Sequence, residues 1–185
     1  MEGLHESNHS FLGYDINKLE LIGEGRQGRV YKLPNSKVLK VFYNKSSYQD
    51  QLNILLKGKD SRFFPRVFKY HNHSIIMEFI EGTPLSDYLL KNTLDEQLSV
   101  ELVKLIEEFN KLYFTRLDIR LCHIYVQADK TIKIIDPRKS FEIIQPFPLL
   151  MMRGLEGHGV LDTFLNYIKN PYPEHYIFWK SNLEK

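Results

Sequence analysis

The sequence that decides the fold is Gly23-Glu24-Gly25-Arg26-Gln27-Gly28-Arg29-Val30, which spaces three glycines as GxGxxG. In the dinucleotide-binding version of this spacing, a helix follows the glycines. Here residues 29–33 are instead rich in strand-forming side chains and end at the turn signal Pro34-Asn35-Ser36. The pattern therefore predicts a β-hairpin whose glycine loop lies over phosphates, with an ordinary glycine-rich hairpin as the alternative.

Lys40 lies at the centre of the next predicted strand, between the apolar pairs Val38-Leu39 and Val41-Phe42. A lysine among large apolar neighbours points to one face of the sheet. Under the glycine loop, its ammonium group would pair with phosphate. A solvated lysine on an edge strand is the alternative interpretation.

The rest of the chain is predicted to contain first a helix and two strands, and then mainly helices. We expect a helix over 46–59, with Ser46 or Ser47 as its N-cap and Gly58 near its end. Strands are expected over 66–70 and 74–80. Apolar residues at spacings of three and four predict a long helix over 94–112. The sequence further predicts a hairpin over 125–135 and one or two short helices over 149–167. Residues 1–15 are expected to be an N-terminal extension or a loosely held segment. The fold class is therefore α+β, with a boundary near Glu81-Gly82.

Two aspartates bracket the predicted hairpin of the second half. Asp118 lies in an irregular stretch after the long helix, and Asp136 ends an apolar strand. Each alone is compatible with an ordinary turn residue. Because the hairpin folds back, both can face one cleft, where one carboxylate orients a hydroxyl nucleophile and the other holds a divalent cation.

The order of these features resembles the protein-kinase-like superfamily over about residues 19–141, and its small bacterial serine/threonine-kinase-like members most of all. The resemblance implies a single two-lobed domain over 1–185. Its N-lobe, over 16–81, carries an antiparallel sheet, and its C-lobe, over 82–185, is a shortened helical lobe. It also implies an ATP-dependent kinase that transfers the γ-phosphoryl group to a hydroxyl of a protein or small molecule, with Mg²⁺ or Mn²⁺.

The resemblance assigns a role to each matching residue. Asp118 would be catalytic, and Asp136 would bind the metal. His123 stands where the family has a metal-binding asparagine, and two outcomes are open: it stays out of the metal shell, or it ligates a softer divalent ion. The segment 77–82 resembles the hinge whose backbone binds adenine. The residues that would bind ATP are Gly23, Gly25, Gly28, Val30, Lys40, Glu78 and Ile80.

Several positions depart from the family pattern. Arg116 replaces the usual histidine before the catalytic aspartate, and Pro137-Arg138 replaces Phe-Gly after the metal-binding one. The glutamate that should pair with Lys40 has only Asp50 or Gln51 as candidates. These departures favour an alternative class of protein, a pseudokinase that binds nucleotide or a protein partner without turnover.

Composition and charge narrow the remaining classes of function. The 185 residues are 43% hydrophobic and carry a formal net charge of +2, which is too small to indicate nucleic-acid binding by itself. Scattered basic residues near Asp118 and Asp136 leave an RNA-associated protein as a third interpretation. The single Cys122 and the lack of a signal peptide or a long apolar run predict a cytoplasmic protein without a membrane span.

Overall fold

A computed structural model describes residues 10–184 of the chain. They form two compact units, a sheet unit of residues 10–59 and 65–80 and a helical unit of residues 60–64 and 81–184. The first is built on an antiparallel sheet and the second holds most of the helices, so the predicted α+β class is confirmed. No helix of the described part is both long and apolar enough to cross a membrane.

The sheet unit contains two short strands and a five-stranded antiparallel sheet. The strands are β1 (Ser10–Phe11), β2 (Tyr14–Asp15), β3 (Leu21–Gly25), β4 (Gly28–Leu33), β5 (Lys37–Phe42), β6 (Val67–His71) and β7 (Ser74–Glu78). The large sheet has the order β3-β4-β5-β7-β6. Lys40 of the central strand β5 lies opposite Val30 on one side and Ile75 on the other, which excludes an edge strand for this lysine.

The first described residues are part of the fold. Strands β1 and β2 pair as a small hairpin, which turns at Leu12 and Gly13, both with positive φ. Phe11, Leu12 and Tyr14 pack against the sheet core, so the prediction of a loose extension is wrong for residues 10–15. The rest of that prediction, residues 1–9, lies outside the described residues. The core cluster that this hairpin covers consists of Tyr31, Leu33, Leu39 and Ile76.

Helix α1 (Lys45–Lys57) follows β5 directly. Its N-cap is Asn44, whose side chain accepts a hydrogen bond from the Ser47 N–H at 2.9 Å, so the predicted serine cap is wrong. Both residue types suit this position, and the chain turns into the helix earlier than expected. Gly58 ends the helix as predicted, donating its N–H to the Ile54 carbonyl at 3.0 Å.

The helical unit combines five helices with a small three-stranded sheet of order β10-β9-β8. The strands are β8 (Thr83–Pro84), β9 (Ile124–Val126) and β10 (Ile132–Ile134), and the helices are α2 (Leu85–Tyr88), α3 (Glu96–Lys111), α4 (Leu149–Gly157), α5 (Leu161–Ile168) and α6 (Pro173–Leu183). The sequence does not predict α6, because a proline such as Pro173 is typical of a helix break. It begins the helix instead, as proline can in the first turn, and Trp179 stacks on Phe164 at 5.8 Å.

Residues 60–64 belong to the helical unit, although the residues before and after them in the chain belong to the sheet unit. The Phe63 carbonyl accepts a hydrogen bond from the Ile134 N–H at 2.8 Å, which joins this segment to the end of β10. The Phe64 ring lies 6.2 Å from that of Phe109, centroid to centroid. This short segment therefore supplies part of the helical unit's core.

Candidate functional site

The glycine run forms the predicted hairpin. Gly25 of β3 pairs with Gly28 of β4, so Arg26 and Gln27 form the loop between the strands. The Gln27 carbonyl accepts a hydrogen bond from the Tyr43 N–H at 2.8 Å, which attaches the loop to the end of β5. A strand follows the glycines, so the arrangement differs from the dinucleotide-binding one.

The surroundings of the three glycines differ. A Cβ on Gly28 would lie 2.0 Å from the Val41 carbonyl oxygen, so this glycine allows two strands to approach closely. A Cβ on Gly25 would meet no atom within 4 Å, and Gly23 would meet only the Val30 Cβ at 3.9 Å. Neither of these two has positive φ. Packing inside the protein thus explains Gly28 and leaves Gly23 and Gly25 to another cause, such as close approach of a ligand.

Lys40 is buried against helix α1. It is 6% exposed, and its Nζ donates to the Gln51 Oε1 at 2.6 Å. Gln51, one of the two residues considered from sequence, therefore contacts this lysine. The Gln51 Nε2 is buried with no hydrogen-bond partner among the described residues, and a buried donor without an acceptor costs about 1–3 kcal/mol.

The residues predicted to bind adenine lie where β7 ends. The Glu78 N–H donates to the Arg66 carbonyl at 2.8 Å and the Phe79 N–H to the Ser36 carbonyl at 2.9 Å, so both amides are used within the sheet unit. Ile80 is buried at 6% exposure. Their role in adenine binding stays a prediction.

Asp118 caps a helix distant in sequence. Its Oδ1 accepts a hydrogen bond from the N–H of Leu150, the second residue of α4, at 2.6 Å. Pro148, which precedes α4, makes no side-chain cap, so Asp118 provides the acceptor that a helix N-terminus needs. Its side chain is 9% exposed. Burial is the largest influence and raises the pKa of Asp118, although the Leu150 N–H opposes it.

Asp136 and His123 lie at the same end of the β9–β10 hairpin. The His123 carbonyl accepts a hydrogen bond from the Ile135 N–H at 2.9 Å, and Asp136 is the next residue. Asp136 has a φ of 51°, a left-handed conformation that aspartate adopts more readily than most side chains. Its Oδ2 lies 3.3 Å from the Arg138 Nε.

Arg116 connects the surroundings of the two aspartates. Its Nη2 lies 3.9 Å from the Asp118 Oδ2, and its Nη1 donates to the Arg138 carbonyl at 3.4 Å. Contacts therefore run from Asp118 through Arg116 and Arg138 to Asp136. We call these four residues the arginine–aspartate cluster. The structure thus joins the two aspartates that sequence singled out within one set of contacts.

The residues of this site fit a divalent cation that is bound mainly by nucleotide phosphates. They fit a metal site made of protein ligands alone less well. Within residues 10–184, no group of three or more histidine, cysteine, aspartate or glutamate side chains is arranged to hold a metal ion. Mg²⁺ bound to nucleotide phosphates needs only one or two protein carboxylates, and Asp136 is the candidate for one of them. The imidazole of His123 is a poor ligand for this hard ion.

One contact at this site was missed from sequence altogether. The bond between Asp118 and Leu150 joins residues far apart in the chain. Residues 145–148, which precede α4, contain no serine, threonine, aspartate or asparagine. The absence of a local N-cap residue before this helix was the sequence signal that a distant side chain would cap it.

Comparisons with known proteins support the fold alone. No protein-family profile and no curated protein sequence matches the chain. A solved structure described as the co-crystal structure of WbdD and kinase inhibitor LY294002 superposes with a TM-score of 0.52 at 17% identity. The match covers 81% of this chain and 37% of the WbdD chain, so this chain spans little more than a third of that protein's length. The protein therefore has a kinase-like α+β fold with an antiparallel sheet unit and a helical unit.

Proposed function

We propose that the protein is an ATP-dependent phosphotransferase of the serine/threonine-kinase-like type. The observation that carries the proposal is the buried Lys40, on the strand next to the glycine hairpin, with its ammonium held by Gln51 at 2.6 Å. Burying an ammonium group is costly, so such a residue usually has a function that requires its charge. A nucleotide phosphate beside Lys40 would offer an acceptor to the buried Gln51 Nε2.

Each residue has a distinct role in this proposal. Gly23 and Gly25 leave room for phosphates, and Lys40 binds them as a charged donor. Asp136 would hold Mg²⁺, which neutralises charge on the phosphates when bound. Asp118 orients the acceptor hydroxyl and takes its proton. The hydroxyl oxygen bonds to the γ-phosphorus while the bond from that phosphorus to the bridging oxygen breaks, and ADP leaves.

A pseudokinase is the second candidate, and the helical unit contains the observations that favour it. Asp118 is 9% exposed and already accepts a hydrogen bond from α4, and Arg138 lies against the Asp136 carboxylate. Both carboxylates are therefore engaged by the protein's own groups. A pseudokinase would bind nucleotide or a protein partner but would not transfer phosphate.

Gly25 provides a test that does not disturb the fold. We expect Gly25→Val to abolish measurable ATP binding in calorimetry, because the new side chain fills space that is open in the protein. Gly157→Val is the matched control, since its Cβ would also meet no atom within 4 Å. It should bind ATP like the wild type. Equal ATP affinity in all three proteins would overturn nucleotide binding at this loop.

The same proteins distinguish an enzyme from a pseudokinase. Wild type and Gly157→Val should transfer labelled γ-phosphate from ATP to an acceptor or to the protein itself, and Gly25→Val should not. ATP binding that Gly25→Val abolishes, without any phosphoryl transfer by the wild type, would identify the pseudokinase.

A further inference from the structure

Three arginines lie around Asp118. Arg116 has its Nη2 3.9 Å from the Asp118 Oδ2. Arg120 follows Asp118 by two residues and precedes the short 3₁₀ turn Leu121–His123. Arg153 lies one turn into α4 from Leu150, whose N–H bonds to Asp118.

The two elements that carry Arg120 and Arg153 are packed together tightly. A Cβ on Gly154 of α4 would lie 2.6 Å from the Leu121 Cγ, so the helix approaches the 3₁₀ turn as closely as a glycine permits. Arg153 and Arg120 are the chain neighbours of these two contact residues. The backbones of Arg120 and Arg153 are therefore held close together, next to the two segments that carry Asp118 and its partner Leu150. In agreement, the positive charges of Arg116, Arg120 and Arg153 all lower the pKa of Asp118 against the effect of burial.

The arginines carry more charge than Asp118 can balance. Arg120 and Arg153 are exposed, and neither forms an ion pair with a described residue. Arg116 alone lies within ion-pair distance of the carboxylate. Two exposed guanidinium groups thus remain available beside the residue that would receive the acceptor hydroxyl.

We propose that Arg120 and Arg153 bind an anionic group of the phosphoryl acceptor, so that the substrate carries a carboxylate or phosphate close to its reacting hydroxyl. This inference rests on the proposed phosphotransferase. Guanidinium groups bind such anions through paired, charge-assisted hydrogen bonds. Besides adding affinity, the contact holds the hydroxyl at Asp118, and such positioning is a large part of catalysis.

Two sources can supply this chemistry, an acidic protein segment or a small phosphorylated metabolite. RNA also carries phosphates, but sites for single-stranded RNA combine basic residues with aromatic platforms for the bases. The charges of Arg120 and Arg153 act together on one carboxylate, and two guanidinium groups suit a single compact anion. We therefore expect a compact anion rather than a polynucleotide.

Binding of defined probes to the full chain tests the inference without ATP. The probes are a short peptide with one serine flanked by glutamates, the same peptide with lysines, glycerol phosphate, and a short single-stranded RNA. We expect the glutamate peptide or glycerol phosphate to bind, and inorganic phosphate to compete. The double variant Arg120→Gln, Arg153→Gln should weaken this binding by about tenfold or more, because charged hydrogen bonds are lost. The matched control, Lys91→Gln with Lys180→Gln, removes the same charge elsewhere in the helical unit and should bind like wild type.

The outcomes separate the two proposals. Binding of the lysine peptide as tight as the glutamate peptide, no effect of the double arginine variant, or tighter binding of RNA that depends on these arginines would each overturn the anionic acceptor. If ATP is bound and transferred but neither anionic probe discriminates, the acceptor inference alone is wrong. If the anionic probes bind through the arginines but ATP is not bound, the phosphotransferase is wrong and the anion site stands.

Discussion

The Lys40 ammonium donates to the side-chain oxygen of Gln51 at 2.6 Å, and both residues are buried. A glutamate at this position would add a negative charge beside the ammonium, and glutamine does not. The glutamine therefore orients the lysine through a hydrogen bond without itself adding a negative charge. This relationship makes Lys40 the first residue to test.

Replacing Lys40 should weaken nucleotide binding. Breaking a buried pair of a charged group and its ligand costs about 2–5 kcal/mol, so we expect Lys40→Ala to reduce ATP affinity well over tenfold. Calorimetry measures the affinity, and circular dichroism checks that the fold remains. Lys37→Ala on the same strand is the control and should bind ATP normally. Unchanged affinity in Lys40→Ala would remove this residue from the site.

Replacing Asp118 should separate catalysis from binding. An asparagine here would be too weak a base, but its side-chain oxygen can still accept the Leu150 N–H, so Asp118→Asn should keep the fold. We expect unchanged ATP affinity and loss of phosphoryl transfer in a single-turnover assay, as for a group used at the transition state. Asp118→Ala should also lose about 1 kcal/mol of stability, because the helix cap is gone. Equal loss of ATP binding in Asp118→Asn would give the residue a structural role.

The raised pKa of Asp118 predicts a pH dependence of stability. Burial, the largest cause, makes the folded protein bind this proton more tightly than the unfolded chain, whose ordinary value is 3.8. The contribution of Asp118 to the free energy of unfolding is therefore present below that value and is lost as the pH rises through the raised pKa. We expect Asp118→Asn to remove this part of the pH profile in denaturant titrations. Wild-type and variant profiles that run parallel over this range would contradict the prediction.

His123 should stay out of the metal site. Imidazole is a poor ligand for Mg²⁺, which keeps oxygen ligands and water. We therefore expect His123→Asn to preserve or raise Mg²⁺-dependent transfer, and wild type to show no strong preference for Mn²⁺. Activity with Mn²⁺ far above that with Mg²⁺, abolished by His123→Ala, would instead make His123 a ligand of a softer ion.

The sequence predicted those parts of the protein that local patterns determine. Alternating β-rich runs and turn residues located the glycine hairpin, and the helical spacing of apolar residues located α3. The sequence did not reveal that Gly28 is needed for close contact with β5. A glycine motif does not show whether a ligand or a neighbouring strand requires each glycine. The cap from Asp118 to α4 was equally invisible, since it depends on tertiary contact.

The segment 60–64 limits how this protein can be recombined with others. Phe63 and Phe64 are 4% and 3% exposed in the helical unit, yet they precede the last two strands of the sheet unit in the chain. A chimaera with one crossover after residue 80 would therefore supply these two aromatic side chains from the wrong parent. A functional exchange of either unit requires three junctions, on both sides of 60–64 and after residue 80. Inheritance of the sheet unit as a separate gene segment is correspondingly difficult.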